Sequence, residues 1–292
     1  MDKTQVFHIG FHKTGTTWFQ KEFYSKVSNY QVVDRGSLQN EFLKTAHIKR
    51  DLSQNLLFCD EELSGNIHTG GNGGLTGFSV ADRISESYPN VKIIIFIRNQ
   101  FSMISSSYLQ YIKKGGNYSI KKYISHQDFP DTHRAPLFSF NHFDYLELIS
   151  YYENKVGKKN VFVYLFEEFK SDQEFFLERF TANHGFKIEL GKLNLEKKNT
   201  SYRSGNLFLS RILNSFTRKD VLYKYYIFHI PRFHNLVSTI LSRVSIGSKI
   251  KPKTILGKSI VSEINVRYKE SNTILAEKYN LDLTKYEYPL ND

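Results

Sequence analysis

The chain has 292 residues, one cysteine, and 40 Lys+Arg against 29 Asp+Glu, a formal net charge of +11. At 40% hydrophobic and 24% charged residues it can bury a core, which excludes a disordered chain. The single cysteine excludes an internal disulfide framework and a cysteine-based zinc site.

The first expected element is a strand at Thr4–Ile9, followed by the turn Gly10–Gly15 and a helical stretch from Thr16. There Phe19, Phe23 and Val27 recur every four residues and line one helix face. Tyr30–Val33 and Asn55–Cys59 read as short strands, and Gly70–Gly74 as a flexible loop. Ser79–Tyr88 reads as a helix, with Ser79 and Asp82 spaced as a capping box. Val91–Ile97 is apolar almost throughout, the pattern of a parallel strand covered on both faces. Helices are expected at Phe101–Lys113, Phe143–Val156 and Asp172–His184, with a buried strand at Asn160–Phe166. From 206 onward the chain reads as helices and loops. Strands alternating with helices predict an α/β fold with a central, mostly parallel sheet flanked by helices.

No linker interrupts the pattern, so residues 1–292 are expected to form a single domain. Its two parts differ in charge. Residues 1–190 hold 22 Lys+Arg and 21 Asp+Glu, whereas 191–292 hold 18 and 8. The basic, mainly helical C-terminal part faces either solvent or something anionic. The longest apolar run, Ile93–Ile97, is far too short to span a membrane, and the opening MDKTQVFHIG has no signal-peptide core. A cytoplasmic protein is expected.

The segment His8–Gln20 (HIGFHKTGTTWFQ) carries the strongest chemical signal. A strand ends, glycines let the backbone curl, and a helix starts with unpaired N–H groups facing the turn. That is an anion cradle. Lys13 adds a full charge, and Thr14, Thr16 and Thr17 add hydroxyls. A loop for a nucleoside triphosphate needs Lys directly after its second glycine. Here Thr16 follows Gly15, Lys13 precedes it, and the strand Val91–Ile97 ends in Arg98 rather than Asp.

Gly10-x-x-Lys13-Thr14-Gly15-Thr16-Thr17-Trp18 resembles the 5′-phosphosulfate loop of sulfotransferases, which use 3′-phosphoadenosine-5′-phosphosulfate (PAPS). The family's second signature is a buried strand ending in Arg with Ser eight residues later. Arg98 and Ser106 match it, with Gln100 where the family often has Pro. Phe143–Phe169 and Glu270–Pro289 are similar to later parts of bacterial members, and the match is poorest around 218–258. The resemblance implies a P-loop-like loop after the first strand and a nucleotide sulfate donor leaving adenosine 3′,5′-bisphosphate (PAP), with no metal. It implies donor contacts from Lys13, Thr14, Gly15, Thr16, Thr17, Trp18, Arg98 and Ser106, with Lys13 also stabilising the leaving phosphate.

The run Asn55–Leu63 (NLLFCDEEL) is an apolar strand running into acids, and strand alternation would put Asp60 and Glu62 on one face and Glu61 on the other. Glu62-x-Ser64 resembles the post-strand Glu-x-Ser of carbohydrate sulfotransferases, where Glu is the base. This implies Glu62 as base, Glu61 as runner-up, and a glycan or glycolipid hydroxyl as acceptor. His68 lies close by, His8 and His12 flank the loop as structural groups or as supports behind the site, and His126, His133 and His142 could line an acceptor cleft. Lys197, Lys198, Tyr202 and Arg203 are the candidate basic loop over the 3′-phosphate. Tyr223–Val244 mixes aromatic and basic residues, either packed on the core or resting on an anionic membrane. A P-loop-type small-molecule kinase and a non-enzymatic polyanion-binding protein are the competing readings. No nucleic-acid-binding motif is visible.

Overall fold

Five strands pair in parallel in the order β2-β3-β1-β4-β5: β1 Gln5–His8, β2 Gln31–Val32, β3 Leu56–Cys59, β4 Val91–Ile97 and β5 Val161–Leu165. The computed structural model describes residues 3–44, 53–125, 136–195, 203–216, 227–228, 230, 239 and 246–291. The expected α/β architecture, a parallel sheet with helices against both faces, is the one observed.

Period-two alternation explains how one sheet serves two cores. Phe7, Phe58, Ile93, Ile95 and Ile97 point to one side, where Val80, Ile84, Ile104, Ile149 and Ile264 cover them. Val6, Leu57, Ile94 and Phe96 point to the other, against Phe19, Phe23, Phe176 and Phe180. Each such side chain contributes about 1.5–3 kcal/mol on burial.

The strands lie within the expected spans, trimmed by at most one residue at either end. The helices depart more. The stretch from Thr16 is α-helical only over Thr16–Trp18, then widens to a π-helix at Phe19–Phe23 and tightens to a 3₁₀ turn at Tyr24–Lys26. The expected residues Phe19, Phe23 and Val27 are nonetheless buried. The helix expected from Ser79 runs over Leu75–Ser87 with Gly74 as N-cap. Asp82 therefore caps nothing. It accepts from Tyr151 Oη (2.7 Å) and pairs with Lys155 Nζ (2.6 Å). A 3₁₀ turn at Asn141–Phe143 delays the next helix to Tyr145–Val156.

Gly70–Gly74, expected to be a flexible loop, is instead a tight left-handed turn. Gly70, Gly71, Asn72, Gly73 and Gly74 all have positive φ, between 52° and 93°. The turn packs on the 138–142 segment: a Cβ on Gly71 would stand 2.5 Å from His142 Nδ1. Gly71→Ala adds this clash to left-handed strain. A loss of about 2–4 kcal/mol is expected in urea unfolding. An unchanged midpoint would mean the turn is loose.

The C-terminal helix Pro252–Tyr279, kinked at Gly257, packs on the helix Gln100–Lys113. Gln100 and Asn272, both buried, exchange two amide hydrogen bonds (2.9 and 3.1 Å), and Asn272 also donates to Pro289 O (2.9 Å). The chain then returns to the end of β4. Asn99 Nδ2 donates to the carbonyls of Tyr286 (2.9 Å) and Glu287 (2.7 Å). Tyr288 Oη donates to Glu167 Oε2 (3.0 Å), while Asn99 N donates to Glu167 Oε1 (3.0 Å).

Candidate functional site

Parallel pairing brings distant residues to one edge of the sheet. His8 is level with Cys59 on β3 and with Ile94 on β4. Residues four or five places beyond His8 therefore emerge beside Glu62 and Arg98. Leu165 is level with Ile97, so Phe166 follows beside Arg98. Carboxyl edges of parallel strands are where open α/β folds place their ligands.

The loop is anchored before it turns. Ile9 N donates to Ile94 O (2.8 Å) and Phe11 N to Phe96 O (3.3 Å). A Cβ on Gly10 would lie 2.7 Å from Thr16 Oγ1, so the close turn requires glycine there. Lys13 (φ 67°) and Gly15 (φ 89°) adopt the left-handed conformation that bends the chain into the helix. For lysine this strain costs about 1–2 kcal/mol.

The loop's hydroxyls are not equivalent. Thr14 is fully buried and its Oγ1 donates inward to Phe11 O, leaving its backbone to face the turn. Thr16 Oγ1 is buried and lacks a partner among the described residues, while Thr17 is exposed. Trp18 packs beside Phe169, with ring centroids 5.1 Å apart, and donates from Nε1 to Asn194 O (3.0 Å). Trp18 thus closes the side of the loop away from the acids.

Lys13 and Arg98, 85 residues apart in sequence, meet: Arg98 Nη1 donates to Lys13 O (3.1 Å). The guanidinium lies 5.2 Å from the centre of the Phe166 ring, and Tyr145 Oη holds the Arg98 carbonyl (2.7 Å). Ser106 stands two turns into the following helix, half-buried, and makes no hydrogen bond to either among the described residues. Lys13 is exposed as a whole residue, yet desolvation at its ammonium lowers its pKa, and the charges of Lys113, Arg98 and Lys114 add to this. Glu61 acts in the opposite sense. The two exposed lysines at the end of the Gln100–Lys113 helix were not singled out in the sequence, because a charged helix end is usually just a solvated one.

The three acids separate. The strand stops at Cys59 and Glu61–Ser64 is a 3₁₀ turn, so strand alternation does not govern them, and Asp60 and Glu62 do not share a face. Asp60 is fully buried, caps the turn through Glu62 N (2.9 Å), and accepts from Arg35 (2.9 and 3.3 Å) and Gln39 (2.8 Å). Glu61 leans toward Arg35 (3.4 Å). Glu62 Oε1 accepts from His12 Nε2 (3.2 Å), and Oε2 from Asn66 Nδ2 (2.9 Å). Burial pushes the Glu62 carboxyl up, but these two hydrogen bonds and the charges of His12 and Arg35 outweigh it and hold it below its ordinary value.

His68, beside Gln110 Nε2 (3.4 Å), is pushed down to about 4 by burial, with His12, Lys114 and Lys13 adding repulsion. His142 is buried behind the turn at Gly71 and pushed down to about 3, chiefly by desolvation, and it borders a small recess with Phe11, Ser64 and Asp144. His8 is likewise buried, bonded through Nδ1 to Tyr24 Oη (2.9 Å). His126, His133, Lys197, Lys198, Tyr202 and most of Tyr223–Val244 lie outside the described residues. Arg203 Nη1 donates to Gly247 O (3.1 Å). Among the described residues no helix is long and apolar enough to cross a membrane.

No family model matches the chain, and no curated protein does. Solved structures do resemble it. A sulfotransferase from Alicyclobacillus acidocaldarius aligns over 67% of this chain and 87% of its own, at 16% identity and a TM-score of 0.49. The mouse sulfotransferase SULT7A1, solved with PAP, aligns over 96% of this chain and 87% of its own, at 13% identity and a TM-score of 0.43. Neither likeness is close enough for shared architecture to imply shared chemistry, so function rests on this chain's own residues.

Proposed function

We propose that this chain is a PAPS-dependent sulfotransferase that transfers a sulfuryl group to a hydroxyl of a glycan or glycolipid. The observation that carries the reading is the Arg98–Lys13 contact, which joins two basic signatures beside a loop whose buried Thr16 hydroxyl has no partner among the described residues. That hydroxyl and the glycine-lined turn suit a tetrahedral anion. The carboxylate of Glu62 stands at the same strand edge.

The acceptor oxygen attacks the donor's sulfur, the bond from sulfur to the bridging phosphate oxygen breaks, and the acceptor's proton passes to Glu62. Lys13 and the N–H groups of Gly15, Thr16 and Thr17 stabilise the negative charge that appears on the leaving phosphate. The guanidinium fork of Arg98, with Ser106 further along its helix, binds the 3′-phosphate, which distinguishes this donor from ATP. Glu62 is suited to accept a proton because its neighbours keep it ionised at neutral pH.

Thermal unfolding with PAP, ATP–Mg²⁺ or duplex DNA separates this reading from a kinase and from a polyanion binder. At 100 times its Kd, PAP is expected to stabilise by about 2.7 kcal/mol, with little effect from the others. Greater stabilisation by ATP–Mg²⁺ would point to phosphoryl transfer, and by DNA to non-specific charge.

A further inference from the structure

The geometry points to His12 as a positioning residue that ties the donor loop to the base. Resting on the reading of Glu62 as base, it adds a role that the loop's phosphate-binding residues do not explain. His12 is next to Lys13 in sequence, yet its Nε2 reaches Glu62 Oε1 at 3.2 Å. Asn66 holds the other carboxylate oxygen at 2.9 Å. Both oxygens are thus fixed, one from the loop that would hold the donor and one from the acid's own turn.

Exposure decides which member of the pair takes the proton. The Glu62 side chain is 21% exposed and that of His12 only 7%. His12 Nδ1 is buried and has no partner among the described residues. The ring is buried, and the hydrogen bond it makes through Nε2 goes to Glu62. A carboxylate can only accept, so the hydrogen of the pair sits on His12 Nε2. A shift of the loop would move Lys13 and the hydrogen bond to Glu62 together, so donor binding and base orientation are mechanically linked.

The groups facing Glu62 are His12 from the donor loop, Arg35 from the helix Arg35–Gln39, and His68 and His142 from the segments packed beside it. On its own turn stand Asp60 and Glu61, both engaged with Arg35. Among the described residues, His12 and Asn66 are the hydrogen-bond donors to the Glu62 carboxylate.

The test needs no knowledge of the acceptor. In ¹⁵N-labelled wild-type protein, His12 is expected to carry its hydrogen on Nε2. A hydrogen on Nδ1 alone would overturn the proposal without any variant. In ¹³C-glutamate-labelled protein with PAP bound, the Glu62 resonance is assigned by its loss in Glu62→Gln. Its titration midpoint is expected to move up in His12→Phe and to return in His12→Gln, whose amide can still donate. An unmoved midpoint in His12→Phe would also overturn the proposal. PAP binding measured on the same samples keeps the two readings apart: no PAP binding by wild type overturns the sulfotransferase reading, whereas binding with an unmoved midpoint overturns only the role of His12.

Discussion

Lys13→Ala is expected to lower kcat by about 10²–10³-fold, measured as sulfate transfer from labelled PAPS to a glycan panel. It is also expected to weaken PAP binding by about 10–100-fold in calorimetry, as befits one lost charge-assisted hydrogen bond. The backbone makes the experiment sharper. Lys13 is held at φ 67°, a strain that Lys13→Ala retains and Lys13→Gly releases. The glycine variant should therefore be about 1 kcal/mol more stable than the alanine variant and equally inactive. Such a pair would identify strain held for function rather than for folding. Wild-type turnover in Lys13→Ala would refute the assigned chemistry.

The second large effect is acid lability. His8, His142 and His184 are each pushed down to about 3, first by burial, with repulsion from His184, His12 and Lys92 respectively adding to it. Their folded pKa values lie below the ordinary 6.5, so the unfolded chain binds more protons between these limits. Stability from keeping these rings neutral is complete above pH ~6.5 and declines as pH falls toward about 3. Each histidine contributes a slope of up to ~1.4 kcal/mol per pH unit. Burial raises Asp144, Glu147 and Glu167, which act in the opposite sense through smaller shifts. Against a typical stability of about 5–15 kcal/mol, unfolding is expected within two or three pH units below neutrality. Urea midpoints at pH 7 and pH 5 measure this. Equal midpoints would show that the rings take up protons without unfolding. His68, pushed down to about 4, adds a fourth contribution, so His184→Phe, which removes one titrating ring, should flatten the dependence by about one quarter.

Much of the scaffold is legible in the sequence because its signals are local. The apolar run Val91–Ile97 is a strand buried on both faces, and it is found where the run lies. Lys13 and Arg98 stand out as motifs expected around one donor, whereas their direct contact is visible only in the fold. The contact between His12 and Glu62 was not, because it depends on β1 and β3 being neighbours in parallel register, a non-local fact. Alternation failed at Asp60–Glu62 because the strand stops at Cys59, where the buried Asp60 carboxylate caps a turn instead. The helix expected from Ser79 starts four residues earlier, at Leu75, because its start is set by a glycine turn fitted against His142, not by a capping side chain.

The return of residues 286–289 to the end of β4 bears on how this protein would behave in a mutational screen. Asn99, adjacent to Arg98, gives its amide hydrogens to Tyr286 and Glu287, and the phenol of Tyr288 holds Glu167. The direction in which Arg98 leaves the sheet is thus braced by residues almost two hundred positions away. Substitutions at Asn272 would be scored as hits for donor affinity although its side chain bonds Gln100 and Pro289 rather than the strand edge. Selection for altered nucleotide preference would draw variants from this remote brace as well as from the loop, and a map of such variants would trace the path of the C-terminal segment.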